Sequence, residues 1–153
     1  MKVLAIDPGT RRTGYAIFDV DRPSYTFVTC GTVFVRGKDL SEKLLHVHRE
    51  LDRLLRRLRP RQVILERPFV GKNRRDAMTL GAARGVCLLA AAARRIPVFD
   101  YAPAQVKKSG SGNGLTAKLG VQRMVQLQLG LRDLPPPDAA DAIALALCHI
   151  NRL

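Results

Sequence analysis

Residues 2–10 read KVLAIDPGT, a short apolar run that ends in an aspartate followed by Pro-Gly. A run of this length, closed by residues that break regular structure, predicts a buried strand followed by a turn. Two further runs follow at short distances, TGYAIFDV (13–20) and YTFVTCGTVFV (25–35), and both are rich in strand-forming residues. Three strands joined by loops of a few residues predict an antiparallel meander at the start of the chain.

The pattern then changes to the period of a helix. Residues 39–59 carry five leucines and a valine on one helical stripe. Asp39 or Ser41 can cap the start of this helix, and Pro60 follows its end.

Strands and helices alternate along the rest of the chain. The sequence predicts, in order, a strand at 62–66, a helix at 75–95, a strand at 96–101, a loop at 102–115, a helix at 116–131 and a last helix after the prolines 135–137. Such alternation requires a partly parallel sheet covered by helices on both faces. The predicted fold class is therefore α/β, in one domain that spans residues 1–153, since no linker divides the chain.

The composition favours a polyanionic partner. Lys and Arg number 26 against 13 Asp and Glu, which gives a net charge of +13. A basic excess of this size favours nucleic acid first and an anionic membrane surface second. The longest apolar run, residues 86–93, is too short to span a bilayer. The three cysteines are far apart and form no CxxC pair, which predicts reduced thiols in a soluble intracellular protein.

Four acidic residues stand where predicted elements begin or end. Asp7 closes the first strand, Glu66 closes the fourth, and Asp138 and Asp141 open the last helix. If the first and fourth strands are neighbours, these carboxylates form one cluster, which repels itself unless a cation such as Mg²⁺ neutralises it. Two such ions can support in-line displacement at phosphorus. An acidic metal pocket on a basic protein is what a nuclease requires.

Each acid also has an ordinary structural explanation. Asp138 follows a proline and can cap the last helix, and Asp141 is favoured by the helix dipole in the first turn. Asp7 is a common turn residue before Pro-Gly. The residue pattern alone supports the catalytic and the structural interpretation about equally.

Five segments resemble the motifs of a known family. They are AIDPGTRRTGYAI (5–17), ILERPFVGKN (64–73), LGAARG (80–85), PVFDYAPAQVK (97–107) and DAADAIALALCH (138–149). In order and spacing they resemble the RuvC family of bacterial Holliday-junction resolvases, and they cover nearly the whole chain. The match is weaker at 109–123, where Gly120 stands in place of the Gln that is frequent in the family.

The resemblance implies a ribonuclease H-like fold, with a mixed five-stranded sheet flanked by helices on both faces. It implies a homodimeric, metal-dependent endonuclease that resolves four-way junction DNA by paired symmetric nicks in recombination and repair. The family's catalytic and metal-binding acids fall on Asp7, Glu66, Asp138 and Asp141. They imply two Mg²⁺ ions per site, with Mn²⁺ able to substitute. The resemblance further implies the RuvA–RuvB branch-migration complex as a partner, no membrane association, and a bacterial cytoplasmic, nucleoid-associated location.

Seven residues are predicted to contact DNA. They are Phe69, Lys72, Arg74, Arg75, Lys107, Lys108 and Lys118. In the family context, Phe69 is interpreted as a residue that stacks on a junction base. Lys107 and Lys118 match family positions beside the active site, where they would hold the scissile phosphate.

Other polar features have mainly structural interpretations. The six arginines between 49 and 61 are interpreted as a solvated helix face. Arg84 matches the family but can be structural, and His149 is not predicted to be a metal ligand.

Two other functions stay open from the sequence. The IDPGT turn (6–10) is similar to the first phosphate loop of actin-like ATPases, although no second phosphate motif is visible. The other alternative is a non-catalytic DNA-binding module that has kept the fold, and the intact set of acids argues against it.

Overall fold

The computed structural model describes residues 1–67, 74–110 and 117–153, without the side chains of 107–110, 117 and 118. Within these ranges one sheet contains β1 Lys2–Asp7, β2 Arg12–Asp21, β3 Ser24–Phe34, β4 Gln62–Glu66 and β5 Val98–Tyr101. The strand order is β3-β2-β1-β4-β5. β1, β2 and β3 are antiparallel, whereas β4 runs parallel to β1 and β5 runs parallel to β4. The predicted meander and the partly parallel sheet are both confirmed.

Helices cover both faces of this sheet. They are α1 Leu40–Leu58, α2 Arg74–Ala92, α3 Pro103–Gly110, α4 Ala117–Leu129 and α5 Pro137–Ile150. α1 and α2 pack on the face that carries Leu4 and Ile6 of β1, and α4 and α5 pack on the face that carries Val3 and Ala5. Because strand side chains alternate between the two faces, the sequence of β1 supplies core residues to both layers.

α1 begins and ends with the predicted signals. The carboxylate of Asp39 accepts a hydrogen bond from the backbone N–H of Glu42 at 2.9 Å. The carboxylate of Glu42 accepts in turn from the N–H of Lys38 at 2.8 Å. Arg59 ends the helix with a left-handed φ of 49°, and Pro60 follows. These contacts satisfy backbone groups that a helix start leaves without partners.

α5 is buried along most of its length. Its side chains from Ala142 to Ile150 are all buried, and so are Ala139 and Ala140. A helix that is apolar on every side belongs in the interior. Its many alanines let it lie close to β1 and β2.

The predicted loop at 102–115 is wrong in its first part, because residues 103–110 form α3. Pro103 occupies the first helical position, and the Gln105 side chain accepts a hydrogen bond from the N–H of Ala102 at 2.8 Å. A proline at the first position and a glutamine at the third are helix-start signals. The Gly- and Ser-rich second half of the segment obscured them. The rest of that prediction, 111–115, lies outside the described residues.

The cysteines are free thiols, as predicted. Cys87 and Cys148 are buried and Cys30 is half-buried. Burial raises the pKa of Cys87 to about 12, so its sulfur stays protonated and unreactive. Within the described ranges, no helix combines the length and apolar character needed to cross a membrane.

Candidate active site

β1 and β4 end side by side at one edge of the sheet. Ala5 pairs with Ile64 in parallel register, so Asp7 and Glu66, each two residues further on, are neighbours. Ala5 and Ile64 belong to the core beneath α5, and strand side chains alternate, so both acidic side chains point to the α5 face. Asp7 and Glu66 line one cavity of about 210 Å³. The first and fourth strands are therefore neighbours, which the sequence had left open.

The start of α5 lies against Gly14 of β2, the residue that pairs with Asp7. A Cβ atom on Gly14 would overlap the backbone carbonyl of Asp138. Only glycine therefore lets the first turn of α5 approach the sheet this closely. Asp138 and Asp141 are both half-buried and lie three residues apart on α5. The contact at Gly14 brings this pair to the end of the sheet that bears Asp7 and Glu66.

Asp138 does not cap α5. The N-cap residue is Pro136, which makes no side-chain cap hydrogen bond, and Asp138 stands inside the helix. The structural interpretation of Asp138 as a cap is therefore wrong. The prolines set the helix start, since Pro137 fits the first helical position. Nη1 of Arg12 lies 4.0 Å from Oδ2 of Asp138.

The loop between β1 and β2 is held by Thr13. Its buried hydroxyl donates a hydrogen bond to the carbonyl of Gly9 at 3.0 Å and accepts one from the N–H of Gly9 at 3.3 Å. A Cβ atom on Gly9 would overlap the carbonyl of Arg12, so this turn requires glycine. The loop places Arg11 and Arg12 in a groove of about 750 Å³ that Asp138 also lines.

Arg84 of α2 lines the cavity that holds Asp7 and Glu66. Its Nη2 donates a hydrogen bond to Asp100 of β5 at 2.6 Å, and its Nε is buried with no partner among the described residues. A charge-assisted hydrogen bond of this length holds the guanidinium in place. Arg84 therefore supplies a fixed positive charge beside two carboxylates.

The four acids have the chemistry of a divalent-cation site. All are carboxylates, the oxygen ligands that Mg²⁺ and Mn²⁺ prefer. Over the part of the chain that the structure describes, no three Asp, Glu, His or Cys side chains are arranged to hold one ion together. The backbone brings the four acids to one end of the sheet. Their side chains must turn toward one another before they can bind one metal ion together.

Comparison with known proteins identifies the family. Residues 3–149 match the family model described as crossover junction endodeoxyribonuclease RuvC. The chain belongs to the RuvC family. The crossover junction endodeoxyribonuclease RuvC of Chromohalobacter salexigens is 41% identical over 147 residues, which are 96% of this chain and 79% of the relative. That of Syntrophomonas wolfei is 42% identical over 153 residues, covering 99% of this chain and 89% of the relative.

A solved RuvC structure has the same fold. The structure of Thermus thermophilus RuvC in complex with Holliday junction substrate matches with a TM-score of 0.82 and 32% identity. The match covers 97% of this chain and 92% of the other. The predicted ribonuclease H-like fold and the assignment to a nuclease family are confirmed.

The structure describes only some of the residues that are predicted to contact DNA. Arg74 and Arg75 are exposed in the first turn of α2. Phe69 and Lys72 lie outside the described residues.

The predicted DNA-binding lysines fall on helices. The backbone of Lys107 and Lys108 belongs to α3, not to the predicted loop, and that of Lys118 belongs to the first turn of α4. Their side chains lie outside the description, so their DNA contacts stay predictions.

Sequence reasoning missed three residues that shape the site, namely Gly14, Arg12 and Asp100. A signal existed for Arg12 and Gly14, since both stand inside the AIDPGTRRTGYAI motif. Asp100 stands inside the PVFDYAPAQVK motif, but its role depends on the tertiary contact with Arg84, which the motif alone does not reveal.

His149 lies at the other end of α5 as a hydrogen-bonded core residue. Its Nε2 lies 2.8 Å from the Gln62 side-chain oxygen, and its Nδ1 lies 2.9 Å from the hydroxyl of Tyr101. A neutral ring satisfies both contacts, with Nε2–H as donor and Nδ1 as acceptor. Burial lowers the pKa of His149, which also favours the neutral form.

Proposed function

We propose that this chain resolves four-way DNA junctions by paired symmetric nicks in recombination and repair, with Asp7, Glu66, Asp138 and Asp141 as its catalytic acids. The observation that carries the proposal is the position of these acids. Two stand at neighbouring strand ends, and the first turn of α5 brings the other two to the same end through its contact with Gly14. An acidic centre on a protein of net charge +13 suits the hydrolysis of a polyanion.

Nucleases of the RuvC family are metal-dependent. We propose Mg²⁺, with Mn²⁺ able to substitute, as two ions per site held by the four acids. When bound, such a pair activates a water molecule and stabilises the leaving oxygen. The supporting observation is the donor set, which consists of carboxylates on the side chains of two strands and one helix.

The chain's own residues bind and orient the DNA in this proposal. Lys107 and Lys118 hold the scissile phosphate, and Phe69 stacks on an unpaired junction base. Lys72, Lys108, Arg74 and Arg75 contact neighbouring phosphates, which position the substrate without reading its sequence. Arg84, held by Asp100, keeps a positive charge beside Asp7 and Glu66.

We further propose that the active unit is a homodimer that meets through one face of α2, because two symmetric nicks require two sites related by a twofold axis. This face consists of Met78, Gly81, Gly85, Leu89 and Ala92. Met78 is 78% exposed and Leu89 is 61% exposed. A Cβ atom on Gly81 or Gly85 would meet nothing within 4 Å. An exposed face of this kind suits the close approach of a second helix. The RuvA–RuvB branch-migration complex stays a predicted partner.

Asp7→Asn is the decisive test. The amide keeps the size of the carboxylate but removes a charged metal ligand, so nicking of a synthetic four-way junction with Mg²⁺ should fall by at least about 10²-fold. Junction binding, measured by gel shift, should survive because the basic surface is unchanged. The matched control is Asp21→Asn at the far end of β2, which should cut normally.

The same assay tests the metal and the symmetry of cutting. A chelator should abolish nicking, and Mg²⁺ or Mn²⁺ should each restore it. Mapping of the cut strands should give two nicks related by the junction's twofold axis. Full cutting by a folded Asp7→Asn protein would contradict the proposed function.

A further inference from the structure

A second groove lies between the edge strand β3 and α1, away from the acids. We call it the β3–α1 groove, and its volume is about 630 Å³. Its lining includes Phe34, Arg36, His46, Glu50, Arg53 and Arg57. Three of them are arginines, and Glu50 is the only acid among the described lining residues. The groove is therefore positively charged.

Two of the three arginines in this groove have no acidic partner in its described lining. Glu50 pairs with Arg53 at 2.6 Å on the same helix, and no acid in the described lining opposes Arg36 and Arg57. Arg36 and Arg57 are therefore available to an anion with oxygen acceptors.

Arg12 lies between the β3–α1 groove and the acidic centre formed by Asp7, Glu66, Asp138 and Asp141. Arg12 of β2 pairs with Phe34 of β3, and its guanidinium lies 5.8 Å from the centre of the Phe34 ring. The same guanidinium lies 4.0 Å from Asp138. Arg11 and Lys43 line the groove beside Asp138, so that three cations, with Arg12, stand against two acids, Asp76 and Asp138, on this path.

Positive charge therefore extends from the acidic centre to the β3–α1 groove. Several cations spaced along a path match a polymer that carries one charge per residue better than they match a single small anion. Phe34 lines the β3–α1 groove beside Arg12 and is 65% exposed, and an exposed aromatic ring beside arginines can lie against a sugar or a base. These features favour a nucleic-acid backbone over an acidic protein surface.

We propose that the β3–α1 groove binds the phosphate backbone of the DNA arm that leaves the active site past Arg12. The proposal rests on the proposed function and extends it, since it assigns a binding role to arginines of α1 that the sequence suggested were merely solvated. Arg53 and Arg57 contact phosphates in this proposal. Phe34 lies between these phosphate contacts and the cutting site.

The salt dependence of junction binding tests this proposal. Loss of each phosphate contact makes the fall of log K with log salt less steep by about 0.9 on duplex DNA. Arg53→Gln with Arg57→Gln should therefore reduce the steepness of this fall by about 1.8. The matched control is Arg49→Gln with Arg61→Gln, which removes the same charge from exposed positions outside the groove. It should keep the wild-type slope. Arg53→Lys with Arg57→Lys keeps both charges and should retain most of the slope.

The length of the DNA arms gives an independent readout. The defect of the Gln pair should appear on long-armed junctions and vanish on junctions whose arms end before the groove. Circular dichroism and thermal melting establish that each variant is folded. An equal slope for the groove pair and the control pair would overturn the proposal, and so would a defect that persists on short arms.

These outcomes are separable from failure of the proposed function. If the wild-type protein cuts junctions but the groove pair behaves like the control, only the groove assignment is lost. If the wild-type protein fails to cut junctions, the proposed function is lost. The slope on plain duplex then decides whether the groove binds DNA at all.

Discussion

Glycine at position 14 decides where the acids lie. Asp138 is not the N-cap of α5, so a capping contact does not fix its position. The contact of its backbone carbonyl with Gly14 does so, because the two chains touch where a Cβ atom would otherwise stand. Because Gly14 also pairs with Asp7, one residue without a side chain relates the strand acid to the helix acid.

Gly14→Ala should therefore damage both stability and cutting. The added methyl group forces α5 away from β2, an overpacking that costs about 1–3 kcal/mol in the free energy of unfolding. Displacement of Asp138 by an ångström should lower the nicking rate by about 10²-fold. Urea unfolding and junction nicking under conditions where the protein is folded measure the two effects.

Another glycine provides the control for Gly14→Ala. Gly120 lies in α4, and a Cβ atom there would meet nothing within 4 Å. Gly120→Ala should raise the free energy of unfolding by up to about 1 kcal/mol, since alanine is the better helix former. If both alanine variants were stabilised alike, the close contact at Gly14 would be refuted.

Among the elements, β1 and β4 were predictable from the sequence with their ends in place. KVLAID and QVILE are continuous apolar runs, and each ends at its acid. Their adjacency was only a possibility from the sequence, and the parallel pairing in the structure establishes it. The strand-end positions of Asp7 and Glu66 could therefore be foreseen before any family was considered, but not that the two ends are neighbours.

The helical elements show where prediction from sequence stops. α3 was missed because a Gly-Ser stretch follows its start signals, and the cap assigned to Asp138 was wrong because the prolines move the N-cap two residues earlier, to Pro136. The ion pair of Arg84 with Asp100 joins residues 16 apart on two elements. Contacts of this kind depend on how α2 packs against β5, which no local pattern encodes.

The start of α5 carries two of the proposed catalytic acids, and its end carries the buried His149. His149 should make the stability of the protein depend on pH. Burial lowers the pKa of His149 in the folded protein, whereas the unfolded chain titrates near the ordinary histidine value of about 6.5. Below that value the unfolded chain binds more protons than the folded one, so stability falls as pH decreases. Above it, the contribution of the neutral ring is fully present.

His149→Phe tests this linkage, because a phenyl ring cannot titrate. Urea unfolding of the wild type should give a free energy that drops between about pH 7 and pH 5, the range set by the ordinary histidine pKa. In the variant this drop should be smaller, although the loss of the contacts with Gln62 and Tyr101 lowers its stability at pH 7. Equal pH dependence in the two proteins would exclude a role for His149.

At the scale of the whole molecule, the acids, the basic groove and the proposed dimer face lie on different elements. The acids lie at one end of β1, β4 and α5, two arginines of the β3–α1 groove lie on α1, and the proposed dimer face lies on α2. Junction cutting by paired nicks requires all three: a reaction centre, a path for each DNA arm and a contact between two copies.

The dimer contact can be tested with a single charge on α2. Leu89→Glu places a carboxylate in the middle of the proposed face, so sedimentation equilibrium should shift the protein from dimer to monomer. Junctions should then accumulate with a single nick, because the two sites no longer act together. Leu127→Glu is the matched control, since Leu127 on α4 is 82% exposed on the other side of the sheet and should leave the dimer intact. A Leu89→Glu protein that stays dimeric would place the contact elsewhere. A monomeric wild type that still makes paired nicks would remove the need for a dimer.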